Sequence, residues 1–232
     1  MENKIINLTE QRISRAKEDM EKMLVELETF RGETADITLL PKDHPKLIGR
    51  GDLALVFELC GGVIGKVVSY FEDREHQNNY SLTGFYVGGS PHSMERTVVS
   101  LREMGFDNVL DHVEIERYPR PRKEGTKIVY PCFYHLSPDL RECGKYEVHS
   151  VENFPFDKLP NGQALNEQVG TSLARIKSEV ESGKYLIEVD KHGTKDKPDE
   201  ALRHMLIGRI NRKTNLGELF FADLDHCVIQ RN

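Results

Sequence analysis

The chain has 232 residues, 32 of them Lys or Arg against 38 Asp or Glu, for a formal net charge of −6. At 38% hydrophobic and 30% charged it is polar for a globular protein, yet it has enough Leu, Ile, Val and Phe for a core, which excludes wholesale disorder. The length suits one large domain or two small lobes, and the acidity argues against a nucleic-acid binder working through overall charge. The opening residues lack a basic head followed by an apolar run, so no secretory signal is expected. Residues 9–31 read as a helix that Thr9 can cap, with Ile13, Ala16, Met20, Met23, Leu24 and Leu27 at helical spacing and Gly32 at its end. Such a stripe packs on its own domain or forms an interface.

From Asp36 to Tyr70 the pattern changes to strands, at Ile37–Leu40, Ala54–Leu59 and Val63–Tyr70. Gly61-Gly62 signals a tight hairpin between the last two. The best apolar stretch, Leu53–Val68, is interrupted by Glu58 and Lys66, so no transmembrane helix is expected. Residues 72–92 read as a long polar loop, and Ser93–Met104 as a helix with Met94, Val98, Leu101 and Met104 on one face. Two strands follow, Val109–Tyr118 and Lys127–Leu136, joined by a turn. Asn161–Glu181 is a helix with Ala164, Leu165, Val169, Leu173, Ile176 and Val180 inward, closed by Gly183. Residues 184–202 are charged and ambiguous. A hairpin of Met205–Ile210 and Glu218–His226 ends the series. The four cysteines, Cys60, Cys132, Cys143 and Cys227, form no metal-finger spacing and read as reduced cytosolic thiols. The order predicts an α+β protein, with a mostly antiparallel sheet followed by a helical section. Its expected parts are an N-terminal helical extension (1–35), a β-rich part (36–136) and a reduced helical part (137–232) ending in the hairpin.

Chemistry concentrates at Ile48-Gly49-Arg50-Gly51-Asp52-Leu53-Ala54-Leu55-Val56. Glycines at 49 and 51 let the backbone turn sharply and approach a ligand, and exposed N–H groups there can meet phosphate oxygens. A plain turn is the competing reading. Ten residues after Val56, Lys66 lies inside an apolar stretch, where an ammonium needs a partner; Glu95 offers one. Near the end of the sequence, an apolar strand delivers Asp223 and Asp225 at its tip, carboxylates that suit a hard cation such as Mg²⁺.

In this order the chain resembles the protein-kinase-like superfamily, over roughly residues 45–229. Gly49, Gly51, Ala54 and Val56 look like its Gly-rich loop, with Ala54 at the third glycine position. Lys66 looks like the third-strand lysine that pairs with nucleotide phosphates, and Glu95 like the helix glutamate that holds it. Phe133-Tyr134-His135-Leu136 looks like the inter-lobe hinge, with Tyr134 against an adenine. Asp223 looks like the metal-binding Asp of D-F-G, with Asp225 replacing its glycine. The resemblance implies a two-lobed fold, ATP and Mg²⁺ as cofactors, and phosphoryl transfer to a protein or small-molecule acceptor in the cytoplasm, or in a host cytosol for a delivered effector.

The family's H-R-D-x-x-x-x-N has no clean copy here, and two registers compete. In one, Asp199 is the catalytic Asp and His204 stands at the metal-binding Asn position. In the other, His204 and Asn211 match the His and Asn, Leu206 takes the Asp position, and the protein is a pseudokinase. Asp199 also reads as a first-turn helix residue. Only seven residues follow Asp225 here, so the activation segment and peptide-docking helices of the family are expected to be missing, as in minimal atypical kinases. A third reading, an interaction module whose loop and lysine are structural, stays open. Arg117–Lys123 reads as a charged surface turn, and adjacent His226 and Cys227 point to opposite strand faces, poorly placed for one metal. Neither G-x-S-x-G nor a Ser-His-Asp grouping appears, so nothing supports a hydrolase.

Overall fold

Apolar residues three and four apart, with Thr9 at the cap, form the first helix, α1 (Glu10–Arg31). The Thr9 hydroxyl accepts from Arg12 N at 3.3 Å. The structure, a computed structural model, describes residues 7–31, 45–50, 54–68, 71–72, 93–116, 122–124, 127–129, 133–189, 205–210, 213–222 and 227–232. These form an α+β protein with antiparallel sheets and three α-helices, in two compact units, one drawn from Asn7–Leu82 and His112–Asp139, the other from Thr83–Asp111 and Leu140–Asn232. Among the described residues no helix is long and apolar enough to cross a membrane.

The first unit is built on a five-stranded antiparallel sheet of β1 (Leu47–Arg50), β2 (Ala54–Leu59), β3 (Val63–Val68), β5 (Val113–Glu116) and β8 (Phe133–Pro138), in the order β1-β2-β3-β8-β5. Gly61 and Gly62, at φ +73° and +68°, turn β2 into β3 in the backbone region that glycine enters without penalty. A small second sheet orders β4 (Phe71–Glu72), β7 (Lys127–Val129) and β6 (Arg122–Glu124) as β4-β7-β6. The single strand expected over Lys127–Leu136 is therefore two strands in different sheets, with Pro131, which has no N–H to give a ladder, between them in the sequence. The strand expected at Ile37–Leu40 lies outside the described residues. Leu47–Arg50 pairs with β2, with a register shift between Leu47 and Gly49.

α1 covers one face of this sheet. Ala16, Met20, Met23 and Leu24 are buried with Leu55, Phe57, Leu59, Val63, Tyr134 and Leu136. Burying each large side chain contributes about 1.5–3 kcal/mol. Polar bonds fix the seat: Arg12 donates to the carbonyls of Gly61, Gly62 and Asn7, and Asp19 accepts from Lys46 and from Cys60 N. Desolvation pulls the Asp19 carboxyl up, but those hydrogen bonds outweigh it and hold the group below its usual range. Gly65 makes room for the helix, since a Cβ there would stand 2.8 Å from Met20 Sδ and 2.9 Å from Leu59 Cδ1. Gly65→Ala is expected to cost about 1–2 kcal/mol by overpacking, read as a lower urea midpoint at unchanged slope.

In the second unit α2 (Ser93–Glu103) and α3 (Gly162–Glu181) bury their apolar stripes with a three-stranded sheet, β12-β11-β9, of β9 (Glu147–Ser150), β11 (Met205–Ile210) and β12 (Glu218–Phe221). Met94, Val98, Leu101 and Met104 of the α2 stripe are all buried. In α3 Leu165, Val169 and Ile176 are buried, whereas Ala164, expected inward, is exposed. Gly183, at φ +73°, closes α3 with its N–H on the Val180 carbonyl. A final pair, β10 (Tyr185–Val189) and β13 (Cys227–Arg231), joins part of the charged segment the sequence left ambiguous to residues beyond the expected hairpin.

Candidate functional site

Antiparallel pairing on the first sheet sets Gly49 opposite Val56, Val56 opposite Lys66, Lys66 opposite His135, and His135 opposite Glu114. Residues directly opposite one another share a face, so these five make one row across the sheet. With strands about 4.8 Å apart, Lys66 neighbours His135, and Glu114 lies about 10 Å from Lys66 across it. Glu58, Ile64 and Ser137 form the next row on that face. The opposite face is the apolar one under α1. The sheet is thus two-sided by alternation, apolar toward the helix and polar around Lys66.

His135 is the chemically unusual member of the row. It is 7% exposed, its Nδ1 has no hydrogen-bond partner, and burial, then the charges of His112 and Lys66, push its pKa down to about 3. At neutral pH it is an uncharged imidazole, which leaves Lys66 as the cation of the row and Glu114 as its anion. A half-buried ammonium between Val56 and a neutral imidazole is a point where an anionic oxygen gains more than it would in water.

The sequence-derived candidates are distributed as follows. Gly49, Val56 and Lys66 come together in the row, and Ala54 opens β2. Tyr134 is fully buried on the α1 face, because neighbouring strand residues point to opposite sides; the β8 residue that shares a face with Lys66 is His135. Glu95 stands half-buried in the first turn of α2, in the other unit. Gly51, Asp199, His204, Asn211, Asp223 and Asp225 lie outside the described residues. Among the described residues no three His, Cys, Asp or Glu side chains group as a metal site. Leu206, the Asp position in the second register, is inside β11, paired with Phe220 on one side and Ser150 on the other. A strand bonded on both edges leaves no loop there.

Sequence reasoning met His135 only within the hinge-like stretch, without its face, and missed His112 and Glu114. The available signal was parity: once Lys66 and its partner strand are aligned, alternation assigns Tyr134 and His135 to different faces. It also missed Asn161, whose amide donates to the Gly217 carbonyl at 2.8 Å and accepts from its N–H at 3.2 Å, tying the start of α3 to the turn before β12. Comparisons with protein-family models, curated proteins and solved structures find no match to this chain.

Proposed function

We propose that the chain is a small kinase-like phosphotransferase that binds ATP with Mg²⁺ in a two-lobed arrangement and passes a phosphoryl group to a protein or small-molecule acceptor. The observation that carries this reading is the shared row of Gly49, Val56 and Lys66, with Lys66 central on the third strand of an antiparallel sheet. That is the structural context in which a Gly-rich loop and a strand lysine act on phosphates. The β11–β12 hairpin, closing just before Asp223, adds to it. The strand at Met205–Ile210 favours the register in which Asp199 precedes it over the one that needs Leu206 in a loop.

Lys66 would offset phosphate charge, and Val56 on the same row would give the ligand an apolar wall. Neutral His135 beside Lys66 adds no second positive charge at neutral pH. Carboxylate oxygens suit a hard cation, so Asp223 and Asp225 are the residues that would hold Mg²⁺, which when bound supplies charge neutralisation at the phosphates. In the Asp199 register, Asp199 would accept the acceptor's proton. Positioning and electrostatics would supply most of the rate.

A thermal-shift titration with ATP and Mg²⁺ tests the reading, because a ligand bound only to the native state raises the melting temperature. The expected result is a rise that Lys66→Ala and Asp223→Ala each abolish, with turnover lost in Asp199→Ala and kept in Asn211→Ala. No rise with or without metal would instead favour the interaction module. A rise without turnover would favour the pseudokinase.

A further inference from the structure

The second unit contains a cleft of about 600 Å³ between the turn Gly105–Asn108, one face of α3 and β12, within the size range of small-molecule sites. Its apolar lining is the half-buried Phe106 ring, with the Phe221 ring 4.6 Å away and Leu219 beside them, both almost fully buried. At its rim Arg175 lies over the Phe106 ring, 5.6 Å from guanidinium carbon to centroid. One long N–H bond, 3.4 Å to the Gly105 carbonyl, is its only hydrogen bond among the described residues, and no described carboxylate pairs with it. A guanidinium carries five donors in a rigid fork, so most of that fork has no protein acceptor.

The walls are held in place independently of any ligand. Asn108 donates its side-chain amide to Leu219 O at 3.1 Å, Phe221 N donates to Asn108 O, and Leu110 N donates to Phe221 O. Gly105, at φ +84°, brings its carbonyl under the arginine; a Cβ there would sit 3.4 Å from Arg175 Nη1. The walls of the site are therefore preformed, and the exposed Arg175 guanidinium lies over the Phe106 ring at its rim.

We propose that this cleft binds a small aromatic monocarboxylate, its ring against Phe106 and its two carboxylate oxygens on the Arg175 fork. The planar pair of oxygens matches the fork, and the half-buried Phe106 ring favours an aromatic partner. Charge decides against a phosphate ester: Asp107 and Glu167 also line the cleft, so a dianion would meet two carboxylates for one arginine. The site lies wholly within the second unit.

The test is an ¹⁵N-resolved NMR titration of the full chain with 3-phenylpropionate, with acetate (no ring) and 3-phenylpropylamine (opposite charge) as comparison probes. The expected result is shifts confined to residues 105–108, 164–175 and 219–221 for 3-phenylpropionate alone. Affinity should drop by about tenfold in Arg175→Gln, and measurably in Arg175→Lys, which keeps charge but loses the fork. Ala164→Phe, a change at an exposed helix position that fills the cleft, should block binding while the rest of the spectrum is retained, and so serves if Arg175→Gln does not fold. No shifts at millimolar probe, equal shifts with the amine, or unchanged affinity in a folded Arg175→Gln protein would each overturn the proposal.

Discussion

Gly162→Ala is expected to lower the stability of the second unit by about 3 kcal/mol, at the upper end of what overpacking costs. A Cβ at this position would lie 1.6 Å from the Phe156 carbonyl oxygen and 2.5 Å from its carbon. Both are backbone atoms, in the short 3₁₀ turn Phe156–Lys158, so no side-chain rotation can relieve the clash. Either that turn shifts, or α3 starts later and loses the Asn161 clamp on Gly217. Gly170 supplies the control in the same helix. It is exposed, with nothing within 4 Å of its added Cβ, so Gly170→Ala should stabilise by about 1 kcal/mol through helix propensity alone. Chemical denaturation of the two variants should move the midpoint in opposite directions. Similar midpoints would show that the approach of Phe156 to α3 is wrong.

The second large effect is a loss of stability in mild acid. In the unfolded chain His135 titrates near its ordinary value of 6.5, whereas the folded protein holds it down to about 3. Between those values the unfolded state carries the extra proton, so stability is fully present above pH 6.5 and falls progressively as pH drops toward 3. At pH 5 this one residue accounts for about 2 kcal/mol. Replacing it with Leu removes the titration and keeps an apolar side chain of similar size in the buried position. The measurement is the difference in unfolding free energy between pH 7.5 and pH 5 for both proteins. His135→Leu should lose about 2 kcal/mol less than the parent chain, and equal losses would contradict a buried neutral imidazole beside Lys66.

The elements legible in the sequence were those whose stabilising pattern is local. α1, α2 and α3 announced themselves by apolar residues three and four apart, and Gly61-Gly62 by the positive φ that a tight turn requires. Met205–Ile210 was legible as an apolar β-rich run. What the sequence hid depends on partners far away along the chain. Strand β1 is four residues long and contains a glycine, so its own residues favour a strand weakly; pairing with β2 makes it one. Strand β10 sits at the edge of a charged segment and acquires its identity from β13, some forty residues later. At the candidate site the sequence put Lys66 and the loop glycines in view, because their spacing is a motif. It could not show His135 beside Lys66, since that neighbour is set by the register between β3 and β8.

The order in which the two units take up the chain bears on how the protein is made. The sheet unit is interrupted by Thr83–Asp111, which belongs with the C-terminal half. On the ribosome, the sheet can close once Asp139 has emerged, while the apolar side of α2 waits for some ninety further residues to be synthesised. At bacterial or eukaryotic elongation speeds that wait lasts seconds, long enough for a chaperone to engage the exposed Met94, Val98 and Leu101 of that helix. A premature stop just after Asp139 should yield a product that aggregates rather than an isolated soluble sheet.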